Sequence, residues 1–115
     1  MNEAAQHEHR FVDPTPLPRE DFAHIAKALG HPNRLCIVEQ FFDGLAHTAG
    51  ELVASCNVSQ STTSEHLHVL RDAGVLRSTR EGTHVWYRLD RELLARFARS
   101  VAYLTAEQSI LTSVR

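Results

Sequence analysis

The stretch SQSTTSEHLHVLRDAGVL, Ser59 to Leu76, decides how this chain folds. Five of its first six residues carry hydroxyls, and apolar residues follow at three- and four-residue spacing. One hydroxyl is enough to cap a helix. Ser59 is placed to do so, and Gly74 is placed to end the segment. On a wheel of 3.6 residues per turn, Thr63, His66, Leu67, Leu70 and Ala73 share the inner face. Ser61, Ser64, Glu65 and His68 share the outer face, flanked by Gln60 and Arg71. That outer face is polar, short-chained and mostly uncharged. It suits a DNA major groove: short hydroxyls allow close backbone approach, and Gln, Glu and His offer donors and acceptors to base edges and phosphates.

The flanking sequence supplies a frame for this helix. Phe22, Ile25, Ala26 and Leu29 lie on one face of a first helix that Gly30 ends. Pro32 opens a second, PNRLCIVEQFFDG, expected to reach Gly44 with Leu35, Val38, Phe41, Phe42 and Leu45 as its stripe and Ile37 at the edge. Thr48 followed by Glu51 is a capping box for a short third helix. Beyond Gly74 the period changes to two. Residues 75–81 and HVWYRL, bent at Gly82, form a hairpin. Asp90 then caps a last helix bearing Leu94, Phe97, Val101, Leu104 and Leu111. The order is α-α-α-α-β-β-α: mainly α with a β-hairpin wing, a winged helix-turn-helix. Residues 1–18, with three prolines at positions 14, 16 and 18, read as a flexible arm, and 19–115 as one DNA-binding and dimerisation domain.

Length and composition agree with one globular unit. The chain has 115 residues, 43% hydrophobic and 23% charged. A net charge of -2 rules out bulk attraction to nucleic acid, so DNA binding must use a local surface. The wing offers Arg77, Arg80, Arg88 and His84 for that purpose, against Glu81 and Asp90. No apolar run is long enough for a membrane span, and residues 1–18 lack the apolar core of a signal peptide. A cytoplasmic protein is expected, with Cys36 and Cys56 reduced. No nucleophile–base pair, phosphate loop or paired carboxylates suggest an enzyme, and no cofactor is implied.

ALGHPNRLCIV, TAGELVASCNVSQSTTSEHLHVLRDAGVL and REGTHVWYRL together resemble the ArsR/SmtB family of bacterial winged-helix repressors, over about Phe22 to Thr105. The resemblance implies a homodimer on an operator, released by a metal, a metalloid or a reactive small molecule. It places Gln60, Ser61, Ser64 and Glu65 at the DNA-contacting positions, and the first and last helices at the dimer interface. It also shows departures. Thr48 stands where soft-metal sensors carry a thiolate, and Arg91, Leu93 and Leu104 stand where zinc sensors carry ligands in the last helix, with only Glu107 able to ligate. Neither usual metal site is expected.

Sensing then falls to other residues. On the helical wheel Cys36 points away from the apolar stripe, beside Glu39, Gln40 and Asp43, which makes it the candidate target of an oxidant or reactive sulfur species. Redox-sensing relatives usually pair such a cysteine with one in the last helix, which this chain lacks. Cys56 falls with Leu52 on the inner face and reads as core. His7 and His9, with His47 or a partner subunit, are the alternative: a non-standard metal site. The alternative to DNA recognition is a winged helix used for protein contact. For DNA, a double-stranded inverted repeat read by a homodimer is expected, with half-sites about 34 Å apart.

Overall fold

Residues 15–114 are described here from a computed structural model, with side chains through residue 106. Five helices and one hairpin follow in the expected order: α1 (Arg19–Leu29), α2 (Pro32–Glu39), α3 (Ala49–Cys56), α4 (Gln60–Asp72), β1 (Leu76–Glu81), β2 (His84–Leu89) and α5 (Arg91–Val114). Their boundaries have local causes. α1 opens on Glu20 and Asp21 and closes on Lys27, each sign at the dipole end it favours. α2 has Pro32 at its first position, and the His31 Nδ1 accepts the Asn33 N–H at 3.1 Å. In α3 both halves of the capping box form: Glu51 N–H donates to Thr48 Oγ1, and Thr48 N–H donates to the Glu51 carboxylate. Ser59 caps α4 by accepting the Thr62 N–H at 3.2 Å, and Asp90 caps α5 by accepting the Leu93 N–H at 3.0 Å.

The second helix differs from its expected course. It ends at Glu39, and a 3-10 turn, Gln40–Asp43, runs on to a left-handed Gly44 (φ +80°). The tighter turn advances each side chain by about 120° rather than about 100°. Phe41 is thereby buried, while Phe42 is 69% exposed. Of the expected stripe only Val38 and Phe41 are buried; Ile37, expected at its edge, is fully buried beside them, and Leu35 and Leu45 are 44% and 63% exposed.

Around this face the core gathers Ile25 and Ala28 of α1, Leu52 of α3, Leu67 and Leu70 of α4, and Val75 and Leu76 at the root of the wing. Leu17 joins it, its N–H donating to the buried Ser100 Oγ at 2.9 Å, while Arg96 of α5 holds the Thr15 carbonyl at 3.0 Å. Thr15–Pro18, read as the end of the arm, are thus packed on the body; residues 1–14, with His7 and His9, lie outside the described part.

β1 and β2 pair antiparallel from Leu76↔Leu89 to Glu81↔His84, closed by the two-residue loop Gly82–Thr83. Gly82 has φ +62° at the first loop position, where a tight hairpin needs a residue without a Cβ. A third piece of backbone extends the wing: His47 and Tyr87 exchange N–H···O bonds of 3.0 and 2.8 Å. The loop before α3 is therefore fastened to the wing.

α5 corrects one expectation. The resemblance gives the last helix, with Leu94 and Phe97, to the dimer interface. Both pack on the chain's own core, and Phe97 stacks on Phe22 of α1 at 4.8 Å between centroids. Val101 and Leu104 are the exposed part of the stripe, with Tyr103 beside them. The Leu111 side chain lies outside the described residues.

Candidate nucleic-acid interface

α3, a short turn and α4 make the helix-turn-helix. Asn57 stands in the left-handed region (φ 55°), its N–H bonded to the Val53 carbonyl. Short polar side chains tolerate that conformation, which reverses the chain into the Ser59 cap. The five hydroxyls of the opening stretch then divide. Ser59 caps. Thr63 is buried and donates to the Val58 carbonyl at 3.4 Å, and Thr62 is half-buried. Only Ser61 and Ser64 join Gln60, Glu65, His68 and Arg71 on the exposed face.

The wing residues do not all converge with that face. Strand register places Arg77, Arg88 and His84 on one side of the hairpin, and Ser78 and Arg80 on the other. Arg71 reaches Ser78 Oγ at 3.4 Å, so Arg80 shares the side that α4 touches. Arg77 lies directly across from Arg88, a repulsive pairing that the Asp90 carboxylate offsets by binding the Arg77 Nε at 3.0 Å. The Arg77 side chain is still 75% exposed, so it can also meet solvent anions.

Behind the face, Arg34 joins three helices. Its Nε donates to the His66 Nδ1 at 3.2 Å, and its Nη1 donates to the carbonyls of Lys27 and Ala28 at 3.2 and 3.1 Å, satisfying the C-terminal end of α1. His66 is buried, tilted against His31 at 4.6 Å. An Nδ1 that accepts requires the neutral ring with its proton on Nε2. Burial first, then the charges of His31 and Arg34, hold this imidazole below its ordinary value. The folded chain therefore binds the proton less readily than the unfolded chain. His66 contributes stability above the unfolded value of about 6.5 and loses it as pH falls through that value toward the folded one. Urea unfolding at pH 7 and pH 5 should show the loss, and His66→Gln should show a smaller one. Equal losses would mean that His66 does not carry it.

A family model matches the helix-turn-helix just described. Residues 31–78 match the bacterial regulatory protein, arsR family. The chain is 34% identical over 119 aligned positions to the transcriptional repressor SmtB of Mycobacterium tuberculosis (strain ATCC 25618 / H37Rv), covering 95% of this chain and 87% of the relative. The chain belongs to the ArsR/SmtB family of winged-helix transcriptional repressors. Two solved structures share the fold. An ArsR-like regulator from Rhodococcus sp. RHA1 superposes with a TM-score of 0.75 at 23% identity, over 83% of this chain and 89% of that one. The homodimeric winged helix-turn-helix DNA-binding domain of Mb0332 from Mycobacterium bovis does so with a TM-score of 0.62 at 24% identity, over 79% and 82%.

This ArsR/SmtB chain uses its departures from the family pattern structurally. Thr48 is the capping residue of α3, and Arg91 donates to the Phe41 carbonyl at 2.8 Å. His47 is held between Asp43 (2.9 Å) and Glu51 (3.0 Å), and the Leu45 N–H holds the Asp43 carboxyl below its usual range. Among the described residues no three His, Cys, Asp or Glu side chains converge to hold a metal ion, and no helix is long and apolar enough to cross a membrane.

The cysteines correct the sequence reading most. Cys36 is not a lone thiol, and Cys56, though packed against the core as expected, is not closed off by it. Both are half-buried and joined in a disulfide, with Cα atoms 6.1 Å apart. Wheel positions assign each cysteine to a face of its own helix; they carry no information on how α2 and α3 cross, and the crossing is what brings the two together. Gln40 does share the Cys36 face, its Nε2 donating to the Cys36 carbonyl at 3.2 Å.

Proposed function

We propose that this repressor acts as a homodimer on an inverted-repeat operator in the cytoplasm, and that an oxidant or reactive sulfur species acting at Cys36 releases it. The observation that carries the DNA reading is the exposed face of α4. Gln60, Ser61, Ser64, Glu65 and His68 stand outward on a helix whose inner face is locked into the core. Gln60 pairs with adenine, Glu65 accepts from cytosine N4, and the hydroxyls bond phosphates and base edges. Arg71 and Arg80 approach the backbone from the side of the wing that meets α4, and Arg77 and His84 from the other.

The homodimer is favoured by the homodimeric Mycobacterium bovis domain of like fold and by the exposed Val101, Tyr103 and Leu104 on α5. Two reading helices related by a two-fold axis require two half-sites about one helical turn apart, on the order of 34 Å. Footprinting on a duplex selected from a random-sequence pool should show a two-fold protected site. Gln60→Ala and Ser64→Ala should change base preference, each by about 1–3 kcal/mol at one position. Arg80→Ala should weaken all sequences alike and reduce the salt slope by about one. An asymmetric footprint excludes the two-fold arrangement. Affinity indifferent to salt excludes DNA as the ligand.

A further inference from the structure

We propose that Cys36 and Cys56 are a hydroperoxide-oxidised thiol pair whose closure locks the turn that aims α4 and thereby lowers operator affinity. This rests on the operator-binding reading above and supplies its regulation: two residues react, and the effect travels through the helix-turn-helix itself rather than through the dimer helices.

Placement carries the inference. Cys56 is the last residue of α3, and after it come only the left-handed Asn57 and Val58 before Ser59, the cap of α4. Cys36 lies on α2, which already grips α4 through the Arg34–His66 bond. With the disulfide closed, α2 holds both helices of the helix-turn-helix, one by a hydrogen bond and the other by a covalent bond. With the thiols open, α3 and its turn keep the freedom to settle as α4 enters the groove. Both cysteines are half-buried, open to a small peroxide. A protein that works on DNA in a reducing compartment holds a disulfide only transiently, which is how disulfides there act as sensors.

The two sulfurs have different parts. Cys36 is the fifth of the eight residues of α2, past the first turn on which the helix dipole acts, but the Gln40 amide nitrogen stands 3.9 Å from its Sγ, a donor that favours the thiolate. Glu39 on the same turn works against this. Cys56 ends its helix, where the dipole opposes a thiolate. Cys36 is therefore the attacking sulfur. Its thiolate attacks one peroxide oxygen; an S–O bond forms, the O–O bond breaks, and the leaving oxygen takes a proton as alcohol or water. Cys36 is then a sulfenic acid. The Cys56 thiolate attacks the Cys36 sulfur, the S–S bond forms, and the departing hydroxide takes the proton that Cys56 gave up, leaving as water. Two thiols lose two electrons and the peroxide gains them.

The test uses the full chain, fully reduced and then treated with hydrogen peroxide. Intact mass after alkylation should show the loss of two hydrogens and no free thiol. Amide exchange at Asn57, Val58, Ser59 and Gln60 should slow. Affinity for a duplex selected by the reduced protein should fall roughly 5–150-fold, the span of ordinary site-to-site coupling, and dithiothreitol should restore it. Cys36→Ser and Cys56→Ser should keep their affinity through the treatment, and Cys56→Ser should carry a dimedone-trapped sulfenic acid on Cys36. Thiols that stay free after peroxide overturn the proposal, as does a closed disulfide that leaves affinity and exchange unchanged or raises affinity. Failure to select any duplex sinks the operator reading, while mass and exchange, measured without DNA, still judge the pair.

Discussion

Phe41→Ala should remove about 3–5 kcal/mol of stability, the cost of deleting a buried aromatic side chain and leaving its cavity. Phe41 is 1% exposed, its ring meets His47 edge-on at 5.2 Å, and its carbonyl accepts the Arg91 guanidinium. The loss would take a large share of the 5–15 kcal/mol that holds a domain of this size. The adjacent Phe42→Ala should stay within about 0.5 kcal/mol, because that ring is 69% exposed. Urea unfolding of the two variants checks both numbers. Similar losses would mean that the 3-10 turn does not hold in solution.

Reduction of the Cys36–Cys56 bond should lower stability by about 3 kcal/mol, the loop-entropy contribution for cysteines separated by about twenty residues. In a domain of roughly 100 residues that corresponds to a fall in Tm of more than about 10 °C. Calorimetry with and without reductant should show two well-separated melting temperatures, and Cys36→Ser should melt like the reduced protein under both conditions. Coincident melting would mean that the bond does not form in the free chain.

Phe41 and Phe42 show where sequence reasoning stopped. Periodicity puts both on the apolar side of one continuous helix, and only the tightening at Gln40 separates them. Features that depend on residues close in sequence were legible: the Thr48–Glu51 box, the Ser59 and Asp90 caps, the bend at Gly82, and the inner and outer faces of α4. Features that depend on how elements cross were not. The disulfide joins wheel positions read as opposite in character, and the His47–Tyr87 bridge links a loop to a strand by backbone alone. Leu17 followed three residues of proline-rich chain, which hid a contact 83 residues away. The reading face of α4 was legible because its inner residues declare themselves; the wing was legible as a hairpin, but the split of its arginines between two faces needed the register.

Asp90 has the last consequence. One carboxylate caps α5 with one oxygen and holds Arg77 of β1 with the other, while its own N–H bonds the Val75 carbonyl at the wing root. The root of the wing is thus tied to the long helix as well as to the reading helix, whose Leu70 carbonyl accepts the Val75 N–H and whose Arg71 reaches Ser78. Under the operator-binding reading, the contacts the wing makes with the DNA backbone and the base contacts of α4 are aimed by different residues. A change at Asp90 would loosen the first and leave the second alone, so it would weaken binding without changing which letters are read.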